Sequence, residues 1–196
     1  MSITTHILIY LKIQVLYLYR TTLNKLYMKK LLVAFLTLFT AFTLSAQDHE
    51  KGKGEKHLPS VNLKDMEGKQ VNTAQMGFDG PVIISFWATW CSPCKRELNT
   101  IQELYEDWQE EFGVNLVAVS IDDEKTKNSV PVYVNGRGWE YLVLMDPNSD
   151  FRRAMGVNNV PHTFLVDKDG VIVYSHNNYA PGDEDLLYKE LSKLKK

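Results

Sequence analysis

Phe86-Trp87-Ala88-Thr89-Trp90-Cys91-Ser92-Pro93-Cys94-Lys95-Arg96-Glu97 joins the end of an apolar run to the start of an amphipathic one. Two periodicities meet in it. Pro81–Trp87 is a continuous apolar run rich in Val, Ile and Phe, the pattern of a strand buried on both faces. Beyond it, Leu98, Ile101, Leu104, Tyr105, Trp108 and Phe112 recur at helical spacing, and Gly113 follows as a C-cap. Both cysteines of the chain therefore lie where a buried strand turns into an amphipathic helix. Backbone N–H groups and the helix dipole favour an anion at that place. Cys91 is the outer residue and is expected to hold a thiolate more readily than a free cysteine does. Cys94, one turn further in, is expected to be the resolving thiol that closes a Cys91–Cys94 disulfide. Pro93 opens the helix without wasting an N–H donor.

On either side of this stretch the chain alternates strands and helices. Val61–Asn72 has the pattern of a hairpin around Glu67-Gly68. Val114–Ile121 is a second buried strand and Tyr141–Met145 a third. Between them, Asn128–Gly136 is ambiguous: Val130, Val132 and Val134 favour a strand, but Pro131 suits a central strand poorly. Its place between two strands favours a short crossover helix. Asn148–Met155 is expected as a short helix ended by Gly156. Thr163–Val166 and Val171–Ser175 form a hairpin across Asp167–Gly170. Asp183–Lys195 is a closing helix, with acids in its first turn and lysines in its last. The sum is a three-layer α/β domain with a mixed central sheet flanked by helices, preceded by an N-terminal β-hairpin extension.

Composition bounds the function. The 196 residues carry 44% hydrophobic and 23% charged side chains, ordinary for a globular protein and unlike a disordered, collagen-like or multispan membrane chain. Residues 1–46 contain no Asp or Glu, so residues 47–196 hold all 24 acids and 17 of the 22 bases. An acidic domain is a poor nucleic-acid binder, and no nucleic-acid partner is expected. Two cysteines are too few for a disulfide-stapled scaffold.

The acid-free segment reads as a leader. Met28-Lys29-Lys30, the apolar run Leu31–Leu44 and then Ser45-Ala46 have the layout of a secretory signal peptide over 28–46, with cleavage expected after Ala46. Left uncleaved, it would serve as an N-terminal membrane anchor. Residues 1–27 are expected to be a mis-assigned start or an extra leader, with translation beginning at Met28. Residues 47–56 lack apolar side chains and are expected to be a flexible leader. The folded domain is expected over 57–196.

A CxxC pair has other readings besides redox chemistry. A permanent structural disulfide gains little from closing a two-residue loop. Zinc wants four ligands, and there is no second cysteine pair. A copper chaperone using Cys91, Cys94 and His162 is the alternative function; no metal is assigned in the preferred reading.

The quoted motif resembles the active site of the thioredoxin-fold family, specifically the exported TlpA/ResA-like thiol:disulfide oxidoreductases. The resemblance runs from about Leu58 to the C-terminus. Gly156-Val157-Asn158-Asn159-Val160-Pro161-His162-Thr163-Phe164 is similar to the family segment that carries a cis-proline packed against the cysteines. The resemblance implies a thioredoxin-like fold and a cis bond at Val160-Pro161. It further implies that the Val160 backbone is exposed to a substrate strand and that Pro161 obstructs metal ligation.

Two departures stand out. Ser85 occupies the place where cytoplasmic thioredoxins carry a buried Asp, while Glu97 matches the acid of the ResA-like group. By that resemblance Glu97 modulates the thiols and relays protons to Cys94. His162 stands where Thr is frequent, and is expected to pack or to donate a hydrogen bond. Trp87 is expected in the core. Trp90, with Pro93 and Val160, is expected to form the substrate-binding surface. Lys95 and Arg96 are expected on a solvated helix face, and Asp122-Asp123-Glu124 in a solvated loop. Tyr179–Asp185 recurs in the family and is assigned structure. The implied activity is reduction of disulfides in exported client proteins by a monomer. It needs no cofactor beyond the Cys91–Cys94 disulfide, and a membrane thiol carrier is the expected electron donor. Cytochrome c biogenesis is one expected setting.

Overall fold

The computed structural model describes residues 56–195 together with Gln14. The expected signal 28–46, the prefix 1–27 and all of the leader except Lys56 lie outside the described residues.

In chain order the elements are β1 (Asn62–Asp65), β2 (Gln70–Asn72), β3 (Val82–Trp87), α1 (Ser92–Phe112), β4 (Asn115–Ser120), α2 (Ser129–Arg137), β5 (Leu142–Met145), α3 (Asp150–Met155), β6 (His162–Val166), β7 (Ile172–Asn177) and α4 (Asp183–Leu194). The strands form one sheet in the order β2-β1-β5-β4-β3-β6-β7. β3, β4 and β5 are parallel neighbours, and the other pairings are antiparallel. The sheet is mixed, as the pattern of runs predicts.

β3 is central because every one of its six side chains is buried. Alternation along it sorts the two faces. Ser85 and Trp87 point towards α1 and α2: Ser85 reaches the Thr163 hydroxyl that also meets Glu97, and the Trp87 ring lies 5.7 Å from that of Tyr133. Phe86 points the other way, with the Phe151 ring of α3 at 5.2 Å. These rings and the aliphatic residues of β4 and β5 make one core, joined on the α1 side by Leu98, Ile101, Tyr105 and Trp108.

α1 takes its full length because both ends are provided for. Pro93 lies in its first turn, and Gly113 closes it at φ 63°, donating its N–H to Gln109 at 2.9 Å. The close packing of that end explains Gly80: a Cβ there would sit 2.2 Å from the Gly113 carbonyl oxygen.

The ambiguous segment resolves as helix α2. Pro131 falls in its first turn, where a missing N–H breaks no intrahelical bond. α3 is held by a buried carboxylate that the spacing does not reveal. Asp146 accepts the N–H groups of Asp150 at 2.7 Å and of Arg152 at 2.8 Å. Among the described residues no helix is long and apolar enough to cross a membrane.

Candidate active site

Cys91 is the N-cap residue of α1, with an extended backbone at φ −88°, ψ 101°. Its Sγ accepts the Cys94 N–H at 3.3 Å. A sulfur in this position faces the positive end of a 21-residue helix. The Cys91 N–H donates to the Ala88 carbonyl at 3.0 Å, which tightens the turn leaving β3. Cys91 and Cys94 are joined as a disulfide with Cα atoms 5.4 Å apart. Cys94 has no exposed surface, Cys91 retains a sliver, and Trp90 beside them is 62% exposed. Access to the pair therefore comes from the Cys91 side.

The Val160-Pro161 bond is cis, as the resemblance implies. Pro161 is buried. His162 pairs with Phe86 in the antiparallel β3–β6 register, so Val160-Pro161 emerges beside the end of β3 from which the cysteine motif departs. Among the described residues, neither the N–H nor the C=O of Val160 enters a backbone hydrogen bond.

Glu97, one helical turn past Cys94, does not face solvent: 1% of its surface is exposed. Its Oε1 accepts the Thr163 hydroxyl at 2.7 Å and lies 2.8 Å from His176 Nε2. Thr163 Oγ1 is also 2.9 Å from Ser85 Oγ. Ser85, which replaces the thioredoxin Asp, thus belongs to the hydrogen-bonded chain that ends on Glu97.

His176 is the residue beside Glu97 that sequence reasoning missed. The sequence singles out His162, which follows Pro161 directly, whereas His176 sits in an outer strand with no motif around it. Register supplies the missing signal: His176 lies opposite Thr163 in the β6–β7 pairing, and so shares a face with Glu97. His162, one residue away, faces the opposite side and stacks on Phe164 with ring centroids 4.3 Å apart. Burial, with His176 and Lys56 nearby, pushes the His162 imidazole below its usual pKa. Among the described residues no three His, Cys, Asp or Glu side chains group as a metal-ligand set, so His162 is not gathered with the two cysteines.

The expected solvated loop at Asp122-Asp123-Glu124 is solvated only in part. Asp123 and Glu124 are exposed, but Asp122 is fully buried. Its carboxylate accepts the Thr89 N–H at 2.8 Å, the Thr89 hydroxyl at 2.6 Å and the Ser120 hydroxyl at 2.8 Å. Lys95 also departs from a purely solvated face, since its ammonium lies 5.3 Å above the Tyr133 ring.

Comparison with known proteins places this geometry. Residues 55–175 match the model of the AhpC/TSA family. The thiol-disulfide oxidoreductase ResA of Bacillus thuringiensis is 33% identical over 153 residues, covering 76% of this chain and 86% of that protein. The solution structure of an uncharacterized thioredoxin-like protein from Porphyromonas gingivalis is 50% identical, with a TM-score of 0.64 over 70% of this chain and 91% of the other. The thioredoxin domain of a thiol-disulfide oxidoreductase from Bacteroides vulgatus shares the fold at 20% identity, with a TM-score of 0.59 over 72% and 97% of the two chains. A dithiol motif at a helix N-terminus, a cis-proline beside it and this sequence similarity agree: the chain belongs to the AhpC/TSA family, as a TlpA/ResA-like thiol:disulfide oxidoreductase of thioredoxin-like fold.

Proposed function

We propose that this oxidoreductase is exported and reduces disulfides of client proteins outside the cytoplasm. The observation that carries the reading is the asymmetry of the cysteine pair. Cys91 caps a helix next to the exposed Trp90, while Cys94 is sealed beneath it. In the reduced enzyme the Cys91 thiolate attacks one sulfur of a client disulfide. A bond forms between Cys91 Sγ and that sulfur, and the other client sulfur leaves as a thiolate that takes up a proton. Cys94 then gives up its proton and attacks Cys91 Sγ, which releases the second client thiol and leaves the Cys91–Cys94 disulfide. Glu97, buried one turn from Cys94, is the group suited to receive the Cys94 proton.

Client binding falls to Trp90, Pro93 and Val160. Trp90 offers an exposed aromatic face, and the free N–H and C=O of Val160 can pair with an extended client segment. Pro161 holds Val160 at the end of the redox turn. The enzyme works as a monomer with no cofactor other than its own disulfide. Its electrons come from a dithiol carrier at the membrane, and the signal-like segment 28–46 supports export.

Two measurements test this. Cys94→Ser should accumulate a mixed disulfide with client through Cys91, visible as a reducible mass adduct, and Cys91→Ser should not. The reduction potential of the pair should fall near the thioredoxin value of about −270 mV. A value near about −120 mV would recast the enzyme as an oxidant.

A further inference from the structure

The buried carboxyl group of Glu97 has two oxygens in different circumstances. Oε1 takes both hydrogen bonds described above, from Thr163 and His176. Oε2 is equally buried and has no partner among the described residues. A buried acceptor left without a donor is costly unless it has work to do. The side chain of His176 is itself largely enclosed, 15% exposed against 2% for that of Glu97. Both donors arise from adjacent strands, Thr163 in β6 and His176 in β7, directly opposite each other. Two rigid elements therefore clamp one carboxylate oxygen and leave the other free.

The geometry points to His176 as a positioning residue for the resolving step: with Thr163 it fixes Oε1 of Glu97, so that Oε2 exchanges the proton with the Cys94 thiol. This rests on the dithiol cycle proposed above. When a donor thiolate attacks Cys91 Sγ, the Cys91–Cys94 bond breaks and its electron pair goes to Cys94 Sγ. A proton from Oε2 neutralises that thiolate. The carboxylate left behind is stabilised by the Thr163 hydroxyl and the His176 Nε2–H, and the proton is regained from solvent. In the opposite direction Oε2 takes the Cys94 proton as Sγ attacks the mixed disulfide.

Other titratable groups lie around this pair and bear on its pH dependence, His162 from the opposite face of β6. They are Cys94 on α1, His162 on β6, Tyr174 on β7 with its ring 5.8 Å from that of His176, and Tyr179 and Tyr141, both of which sense the Glu97 charge. Lys56 lies near His162.

The test uses the full chain and His176→Gln, which keeps a donor for Oε1 but cannot titrate. Reduction by dithiothreitol and reoxidation by glutathione disulfide are followed from about pH 5 to 9. The wild-type profile should carry a titrating limb that is displaced or lost in H176Q, with the neutral-pH rate roughly tenfold lower. Superimposable profiles would overturn the assignment. If H176Q does not fold, the wild type still decides. The ring nitrogen signals of His176 should differ between oxidised and reduced protein at one pH, and Glu97→Gln should remove that difference. Identical signals in the two redox states would overturn the assignment. A wild-type pair with no reversible couple would overturn the dithiol cycle, and this inference with it.

Discussion

Thr89 is bound twice to Asp122, 33 residues further along the chain: its N–H donates to Oδ2 at 2.8 Å and its hydroxyl to Oδ1 at 2.6 Å. The carboxylate also takes the Ser120 hydroxyl at 2.8 Å. It therefore bridges the ends of the parallel strands β3 and β4 and fixes the turn that presents Trp90 and Cys91. Removing it strands three donors, the Ser120 hydroxyl in a fully buried position and two from half-buried Thr89, and bonds to a charged acceptor contribute about 1.5–3 kcal/mol each. Asp122→Ala should destabilise the protein by about 3 kcal/mol, a value below the full sum because the turn can relax. Asp122→Asn should recover part of that. Urea unfolding of the oxidised protein measures both, and an unchanged midpoint for D122A would show that the tie does not hold the turn.

Gly80 and Gly113 approach so closely that no side chain fits between them. A Cβ added at Gly80 would run into the Gly113 backbone oxygen, which cannot swing aside as a side chain would. Gly80→Ala should force the start of β3 away from the end of α1, at a cost of about 1–3 kcal/mol. Thermal unfolding should show the loss, together with faster amide exchange at Asn115, whose N–H donates to Pro81 across this junction at 2.9 Å. Wild-type exchange at Asn115 would place the strain elsewhere.

If Trp90 belongs to the proposed client-binding surface, its loss should separate client binding from chemistry. It is exposed, and among the described residues its side chain donates no hydrogen bond. Trp90→Ala should leave reduction of the enzyme by dithiothreitol within about twofold, since a small thiol needs no platform. Reduction of a protein disulfide should slow by roughly tenfold or more, the usual cost of losing an aromatic anchor. Equal slowing with both substrates would assign Trp90 to the geometry of the cysteine pair instead.

The order of elements was legible because burial leaves its mark on composition. Val82–Trp87 reads as a two-faced strand because it is one, and the Gly113 cap sits where the apolar spacing of α1 stops. Even Pro131, hostile to a strand, directs its segment to helix α2. The cysteine pair and the proline beside it were legible through short contiguous motifs. What escaped were side chains whose meaning depends on register across the sheet. Asp122 looks like a solvated acid next to Asp123 and Glu124, and only the parallel pairing of β3 with β4 brings it to Thr89. His176 looks like an outer-strand polar residue, and only its place opposite Thr163 turns it towards Glu97. Asp146, too, shows its capping role only once α3 has folded over it.

His162 gives the fold a pH dependence of definite sign. Burial is the main cause of its lowered pKa, with His176 and Lys56 adding to it. A base whose folded pKa lies below its unfolded value of about 6.5 binds a proton more readily in the unfolded chain. Stability from this residue is therefore complete above about pH 6.5 and is lost as pH falls from there towards the folded value. His162→Phe retains a ring against Phe164 and cannot titrate. Its stability relative to wild type should improve steadily as pH is lowered from about 7.5 to 5.5, with the denaturant slope unchanged. The comparison must use oxidised protein throughout, so that thiol ionisation at Cys91 and Cys94 does not enter. A wild-type-minus-variant difference that stays flat across this window would mean that His162 is solvated well enough to titrate as a free imidazole.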